Sequence, residues 1–147
     1  MASIEQIKEL RNITGVSIAE CKKALEKTNN DIKKAKKVLK DSGKDLARKR
    51  LNRETKAGII DSYIHSDKKV GVLLKLQCES DFVARSDDFL KLAHELCLQI
   101  AASVEDKSLL KQSWIKDQKR TVKDLIDEYI VKFGENIIVE KFIRYEI

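Results

Sequence analysis

Val70-Gly71-Val72-Leu73-Leu74-Lys75-Leu76-Gln77-Cys78-Glu79-Ser80-Asp81-Phe82-Val83-Ala84-Arg85 is the stretch on which the reading of this chain turns. Val70 to Cys78 is strongly apolar and rich in branched side chains, the pattern of a strand. From Asp87-Asp88-Phe89-Leu90-Lys91-Leu92-Ala93 onward the apolar spacing becomes helical. Ser80 to Arg85 is therefore a strand-to-helix corner, a place where a rigid scaffold can present side chains. Taken singly, its residues have ordinary readings. Ser80 and Asp81 read as helix caps, Phe82 as a core plug and Arg85 as a solvated charge. The alternative is that Phe82 projects into a partner.

Working backwards, Gly58-Ile59-Ile60-Asp61-Ser62-Tyr63-Ile64-His65 is β-like, and Ser66-Asp67-Lys68-Lys69 reads as the turn into Val70–Cys78, a hairpin. Forwards, a helix is expected from about Asp87 to Val104, with Phe89, Leu92, Ala93, Leu96, Ile100 and Ala101 on one face. A polar connection covers Glu105–Asp117, with Trp114-Ile115 embedded. Thr121 begins another helix that Gly134 ends, and Ile137 to Ile147 reads as a last strand. The expectation is ββααβ: a three-stranded antiparallel sheet with helices packed on it. Apolar residues on both strand faces suggest that the second face meets another subunit.

The first part of the chain differs in kind. Ser3-x-x-Gln6 and Ser17-x-x-Glu20 have the form of capping boxes, and Thr14-Gly15 and Asn29-Asn30 read as stops. Ile32, Ala35, Val38 and Leu39 line a third helix that Gly43 is expected to close. Three short amphipathic helices make a bundle similar to the ubiquitin-associated type, with little core of its own. Lys44 to Lys56 then reads as a basic linking helix. The fold class is thus α+β, with a three-helix docking domain over 1–43, a linker over 44–56 and a core over 57–147.

Charge follows the same division. The 147 residues carry a net charge of +6. Residues 1–56 hold 16 Lys+Arg against 8 Asp+Glu, and the remainder is slightly acidic. All eight aromatics lie in the second part, from Tyr63 onward. Arg48, Lys49, Arg50 and Arg53 offer phosphate contacts whose strength counter-ion release would supply, but no interleaved aromatics stand ready to stack on bases. The ordinary reading, a solvated charged face, is preferred, and no direct nucleic-acid contact is expected.

Little in the sequence points to reaction chemistry. His65 sits at a strand end. His94 and Cys97 could share a helix face, but no further ligand is spaced to complete a metal site. No glycine-rich phosphate loop is present, and the carboxylates are scattered. Cys21, Cys78 and Cys97, odd in number, fit buried thiols better than a disulfide framework. No apolar run reaches the length of a membrane span, and Met1 to Glu5 lacks a secretory pattern. The expectation is a soluble intracellular binding protein rather than an enzyme, without cofactor or membrane span.

Three separated motifs then resemble one family. Ile7-Lys8-Glu9-Leu10-Arg11, Thr14-Gly15 and Cys21-Lys22-Lys23-Ala24-Leu25 resemble the N-terminal signature of the elongation factor Ts family. Cys78-Glu79-Ser80-Asp81-Phe82-Val83-Ala84-Arg85 is similar to its second signature, with Ser80 where threonine is usual. Gly134-Glu135-Asn136-Ile137, with Phe142 in the strand beyond, is similar to its C-terminal signature. The resemblance implies a guanine nucleotide exchange factor for elongation factor Tu. It implies that Asp81 and Phe82 enter near the partner's magnesium site and release GDP, with Ser80, Val83, Ala84 and Arg85 around them. Leu10, Arg11, Ile18 and Ala19 would dock the first domain. Longer members carry a second core copy and a coiled-coil insertion. This chain has a single core, and short members can form homodimers. Two other classes compete: a small basic RNA- or ribosome-binding protein, and a ubiquitin-like-protein binder that rests on fold analogy alone.

Overall fold

The computed structural model describes residues 1–103 and 108–147, and of residues 44–46 and 48 the backbone alone. The chain falls into two compact units, Met1–Lys49 and Arg50–Ile147.

The first unit is a helical bundle: α1 (Ile4–Thr14), α2 (Ile18–Lys27) and α3 (Ile32–Arg50). Each boundary has a local cause. Ser3 Oγ accepts from Gln6 N while Ser3 N donates to the Gln6 side chain, so the first capping box closes in both directions. Gly15 turns left-handed at φ 70° and its N–H caps the Arg11 carbonyl, which glycine does without a Cβ penalty. Ser17 accepts from Glu20 N to start α2. Asn29 and Asn30 end it in left-handed conformations, and Asp31 accepts from Lys34 N to open α3. The core is small: Leu10, Cys21, Ala24, Leu25, Ala35 and Leu39.

Gly43 does not close α3. The helix runs through it to Arg50, where a turn follows over residues 51 and 52. An interior glycine costs a helix only about 1 kcal/mol relative to alanine, and the Lys, Ala, Leu and Arg residues beyond it are strong helix formers. The expected linking helix is therefore the end of α3, and it stops short of Lys56.

The second unit is built on a three-stranded antiparallel sheet, in the order β1 (Ala57–Ile64), β2 (Val70–Cys78), β5 (Ile137–Glu146). The β1–β2 turn is closed by His65 N donating to Val70 O and Lys68 N to His65 O. Gly58 lies close against the β2 backbone: a Cβ there would stand 2.2 Å from the Leu76 carbonyl oxygen. Val72, Leu74, Leu76 and Cys78 alternate onto a buried inner face. Against that sheet packs α5 (Asp87–Ala102). It contributes Phe89, Leu92, Ala93, Leu96, Cys97 and Ile100 to the core, and α6 (Val122–Phe133) adds Val122, Leu125, Ile126 and Ile130. The continuous apolar run of β2 is thus half core: Leu73, pointing the other way, stays exposed.

Two elements have no counterpart in the sequence reading. One is α4 (Asp81–Ala84), a single turn between β2 and α5. The other is a small hairpin, β3 (Ser113–Trp114) with β4 (Asp117–Thr121), preceded by a 3-10 turn over Leu109–Lys111. It sits within the connection expected to be merely polar. Buried Gln99 on α5 holds it, donating to Ser113 O at 3.0 Å and accepting from Ile115 N at 2.8 Å. The expected helix end at Val104 and the connection over 105–107 lie outside the described residues.

Candidate partner interface

The corner after β2 is held by two serines in series. Ser80 Oγ accepts from Val83 N at 3.3 Å and caps α4. Ser86 Oγ accepts from Phe89 N at 3.3 Å, caps α5, and donates to Val83 O at 2.7 Å. Between these caps α4 turns its two halves in opposite directions. Val83 and Ala84 are buried and anchor the turn. Phe82 is 87% exposed. A phenylalanine left in water forgoes roughly 1.5–3 kcal/mol of burial, so the core-plug reading of Phe82 is excluded. Asp81 and Arg85 are also exposed and pair across one turn at 2.9 Å. An exposed pair of this kind is worth about 0–1 kcal/mol, so a partner can break it at little cost. Apolar ring, carboxylate and guanidinium thus share one protruding tip.

Behind the tip, Glu135 reaches from the α6–β5 connection to the corner. Its carboxylate accepts from Glu79 N (3.1 Å), Ser80 N (2.9 Å) and Ser80 Oγ (2.6 Å). Cys78 beneath donates its thiol to Ser80 O. Burial, chiefly, with the Glu135 charge next, pushes the Cys78 thiol up to about 11, so it stays protonated. The bonds from Glu135 span more than fifty residues of sequence, and reading along the chain missed them.

In the first unit, Arg11, Ile18 and Ala19 are exposed and Leu10 is completely buried. Leu10 therefore belongs to the bundle's core, while the other three stand on its surface. Ile4 and Ile13 join them as exposed apolar side chains that the sequence reading had not singled out for docking. The outer face of the three-stranded sheet is a further apolar surface. Leu73 pairs with Ser62 on one side and Ile143 on the other, and Gly71 lies between Ile64 and Tyr145. Ile60, Ile64, Leu73, Ile143 and Tyr145 are all exposed there. Cys97 is a buried thiol, as its ordinary reading has it, whereas His94, read from the sequence as a packed side chain, is exposed. The rings of His94 and Tyr63 meet edge-to-face with centroids 6.4 Å apart, and no metal-binding cluster occurs among the described residues.

Comparison with known proteins gives the family. The profile of the family described as "Elongation factor TS" matches residues 79–147, and that described as "Elongation factor Ts, mitochondrial, N-terminal" matches residues 1–47. "Elongation factor Ts" of Coprothermobacter proteolyticus is 38% identical over 192 residues, covering 99% of this chain and 98% of the relative. The chain belongs to the elongation factor Ts family. Proteins of that name from Thermotoga maritima and Thermodesulfovibrio yellowstonii are each 38% identical, over 99% and 97% of this chain and 96% and 94% of their own lengths. Elongation factor Ts is a nucleotide exchange factor of translation elongation, and this chain matches that family over nearly its full length. The match of 192 residues exceeds the 147 of this chain, so the relative carries a stretch with no counterpart here. No helix among the described residues is long and apolar enough to cross a membrane.

Proposed function

We propose that this protein binds elongation factor Tu in its GDP form, that the tip of α4 disturbs the magnesium and phosphate site, and that GDP leaves so that GTP can rebind. The observation that carries this reading is Phe82: large, apolar and 87% exposed at a corner whose neighbours Val83 and Ala84 are buried. Release of a bound nucleotide requires no bond chemistry. It requires tighter binding to the nucleotide-free partner than to the loaded one, since a factor shifts such an equilibrium only by its differential affinity. A phenylalanine in a partner pocket is a fitting anchor, because aromatic hot spots are each worth about 2 kcal/mol or more. Asp81 beside it competes for the polar groups that otherwise serve magnesium.

Arg11, Ile18 and Ala19 serve as the docking surface of a domain over 1–43, with Leu10 supporting them from the core. Residues 44–56 link it to the core over 57–147. A second copy of the chain covers the outer sheet face, giving a homodimer that presents two tips. The place of action is the cytoplasm or an organelle interior. The test is GDP release from elongation factor Tu: wild-type chain accelerates it, and Asp81→Ala and Phe82→Ala do not. Full acceleration by both variants would refute the assignment of the tip.

A second reading has its own observation. Lys33, Lys36, Lys37 and Lys40 lie on one exposed side of α3 and form no ion pair among the described residues. RNA binding through this stripe would weaken steeply with salt. Binding that is weak at low salt, or insensitive to neutralising these lysines, removes it.

A further inference from the structure

The short connection Gly134-Glu135-Asn136 directs its polar groups at the corner that carries Phe82. Glu135 accepts both backbone N–H groups that precede α4, at Glu79 and Ser80, and the Ser80 hydroxyl as well. The traffic is reciprocal. Asn136 N donates to the Glu79 carboxylate at 2.5 Å, and Asn136 Nδ2 donates to Arg53 O at 3.0 Å. Arg53 in turn lies 3.6 Å from Glu79. The result is a network of polar contacts at the base of α4 that includes the completely buried Asn136, whose Oδ1 is left without a hydrogen-bond partner.

A cap needs its side-chain oxygen aimed at the helix amide. Ser80 Oγ accepts from Val83 N at 3.3 Å while donating to Glu135 at 2.6 Å, so the carboxylate favours the side-chain position that caps the helix. Phe82 has almost no contacts of its own that could orient it. Its direction is therefore inherited from the backbone of residues 79–83. From this geometry we infer that Glu135 is a positioning residue for nucleotide exchange: it holds the base of α4 rigid, so that Phe82 and Asp81 are presented before the partner arrives.

The inference rests on the exchange reading above. A preorganised tip avoids an ordering cost on binding, and a loosened one incurs it at the step where the tip inserts. Docking by the first unit is not affected. Loss of Glu135 therefore lowers the maximal rate of stimulated GDP release, while the concentration giving half-stimulation changes little.

The experiment pairs two readouts on the full chain, amide hydrogen exchange and GDP release from elongation factor Tu. In Glu135→Ala the Glu79 and Ser80 amides exchange at least about tenfold faster, and maximal stimulated release falls about tenfold. Glu135→Gln keeps an oxygen that accepts both N–H groups and stays within about threefold of wild type in both readouts. This second variant carries the test if the alanine variant does not fold. Unchanged amide exchange at Glu79 and Ser80 in Glu135→Ala overturns the clamp whatever the protein's function. Faster amide exchange with undiminished GDP release, in an assay where Phe82→Ala abolishes stimulation, overturns the positioning role and leaves the exchange reading standing. Full stimulation by Phe82→Ala overturns the exchange reading itself, and the positioning role with it.

Discussion

Phe82 and Phe89 stand one helix apart in sequence and at opposite extremes of burial: Phe89 is wholly enclosed, its ring 6.3 Å from that of Phe133, while Phe82 is 87% exposed. Their substitutions should separate stability from function. Phe89→Ala empties the core and is expected to cost about 3–5 kcal/mol. Phe82→Ala is expected to lie within about 0.5 kcal/mol of wild type. Urea unfolding of the two variants checks this. A large loss in Phe82→Ala would mean that the ring is packed in solution.

The outer sheet face gives a second expectation. Leu73 lies between Ser62 and Ile143 at the middle of that face, so Leu73→Lys puts a charge at the centre of the proposed dimer. Light scattering over a dilution series should give the mass of two wild-type chains and of one mutant chain. A wild-type mass that stays at one chain at high concentration contradicts the dimer.

Gly58 offers a test of the backbone. At φ 154°, with Leu76 O only 2.2 Å from the position of a Cβ, alanine forces β1 and β2 apart, and neither backbone can yield cheaply. Gly58→Ala is expected to destabilise by about 2 kcal/mol or more, read as a lower urea midpoint. Gly134 has open space around the same position. There alanine meets only the left-handed backbone penalty of roughly 1–2 kcal/mol.

Burial sets the behaviour of the thiols with pH. It pushes Cys78 up to about 11 and Cys97 up to about 12, against 9.0 for a free thiol, with Asp61 adding to the effect at Cys97. Because the folded state resists ionisation, the stability these thiols contribute is complete below about pH 9 and declines as pH rises toward 11. The urea midpoint should accordingly fall between pH 8 and pH 10.5. Alkylation of the native chain at pH 8.5 should be far slower than that of the unfolded chain. Equal rates would mean that the thiols are open to water.

Much of the architecture is written locally. The caps at Ser3, Ser17 and Thr121, the glycine stops at Gly15 and Gly134, and the change of period at Ala57 each involve residues a few positions apart, where spacing alone carries the signal. Gly43 misled because a glycine marks a stop only when the backbone turns left-handed there, and neighbouring helix formers can carry a helix through it. The β3–β4 hairpin was hidden because Gln99, well before it in sequence, supplies the bonds that hold it. The site shows the same limit. The corner was recognisable from residues 70–93, but the direction of Phe82 depends on which of its neighbours the helices bury, and the tie from Glu135 joins positions that no periodicity connects.

The most direct measurement of the central claim is the rate of GDP dissociation from elongation factor Tu, followed with a fluorescent GDP analogue, at saturating concentrations of wild-type chain and of Phe82→Ala. An anchor worth about 2 kcal/mol corresponds to roughly a thirtyfold change. The expected result is strong acceleration by the wild type and a loss of about that size in the variant, with both chains equally folded. Equal acceleration by the two chains would contradict the claim that the exposed ring at the tip of α4 drives nucleotide release.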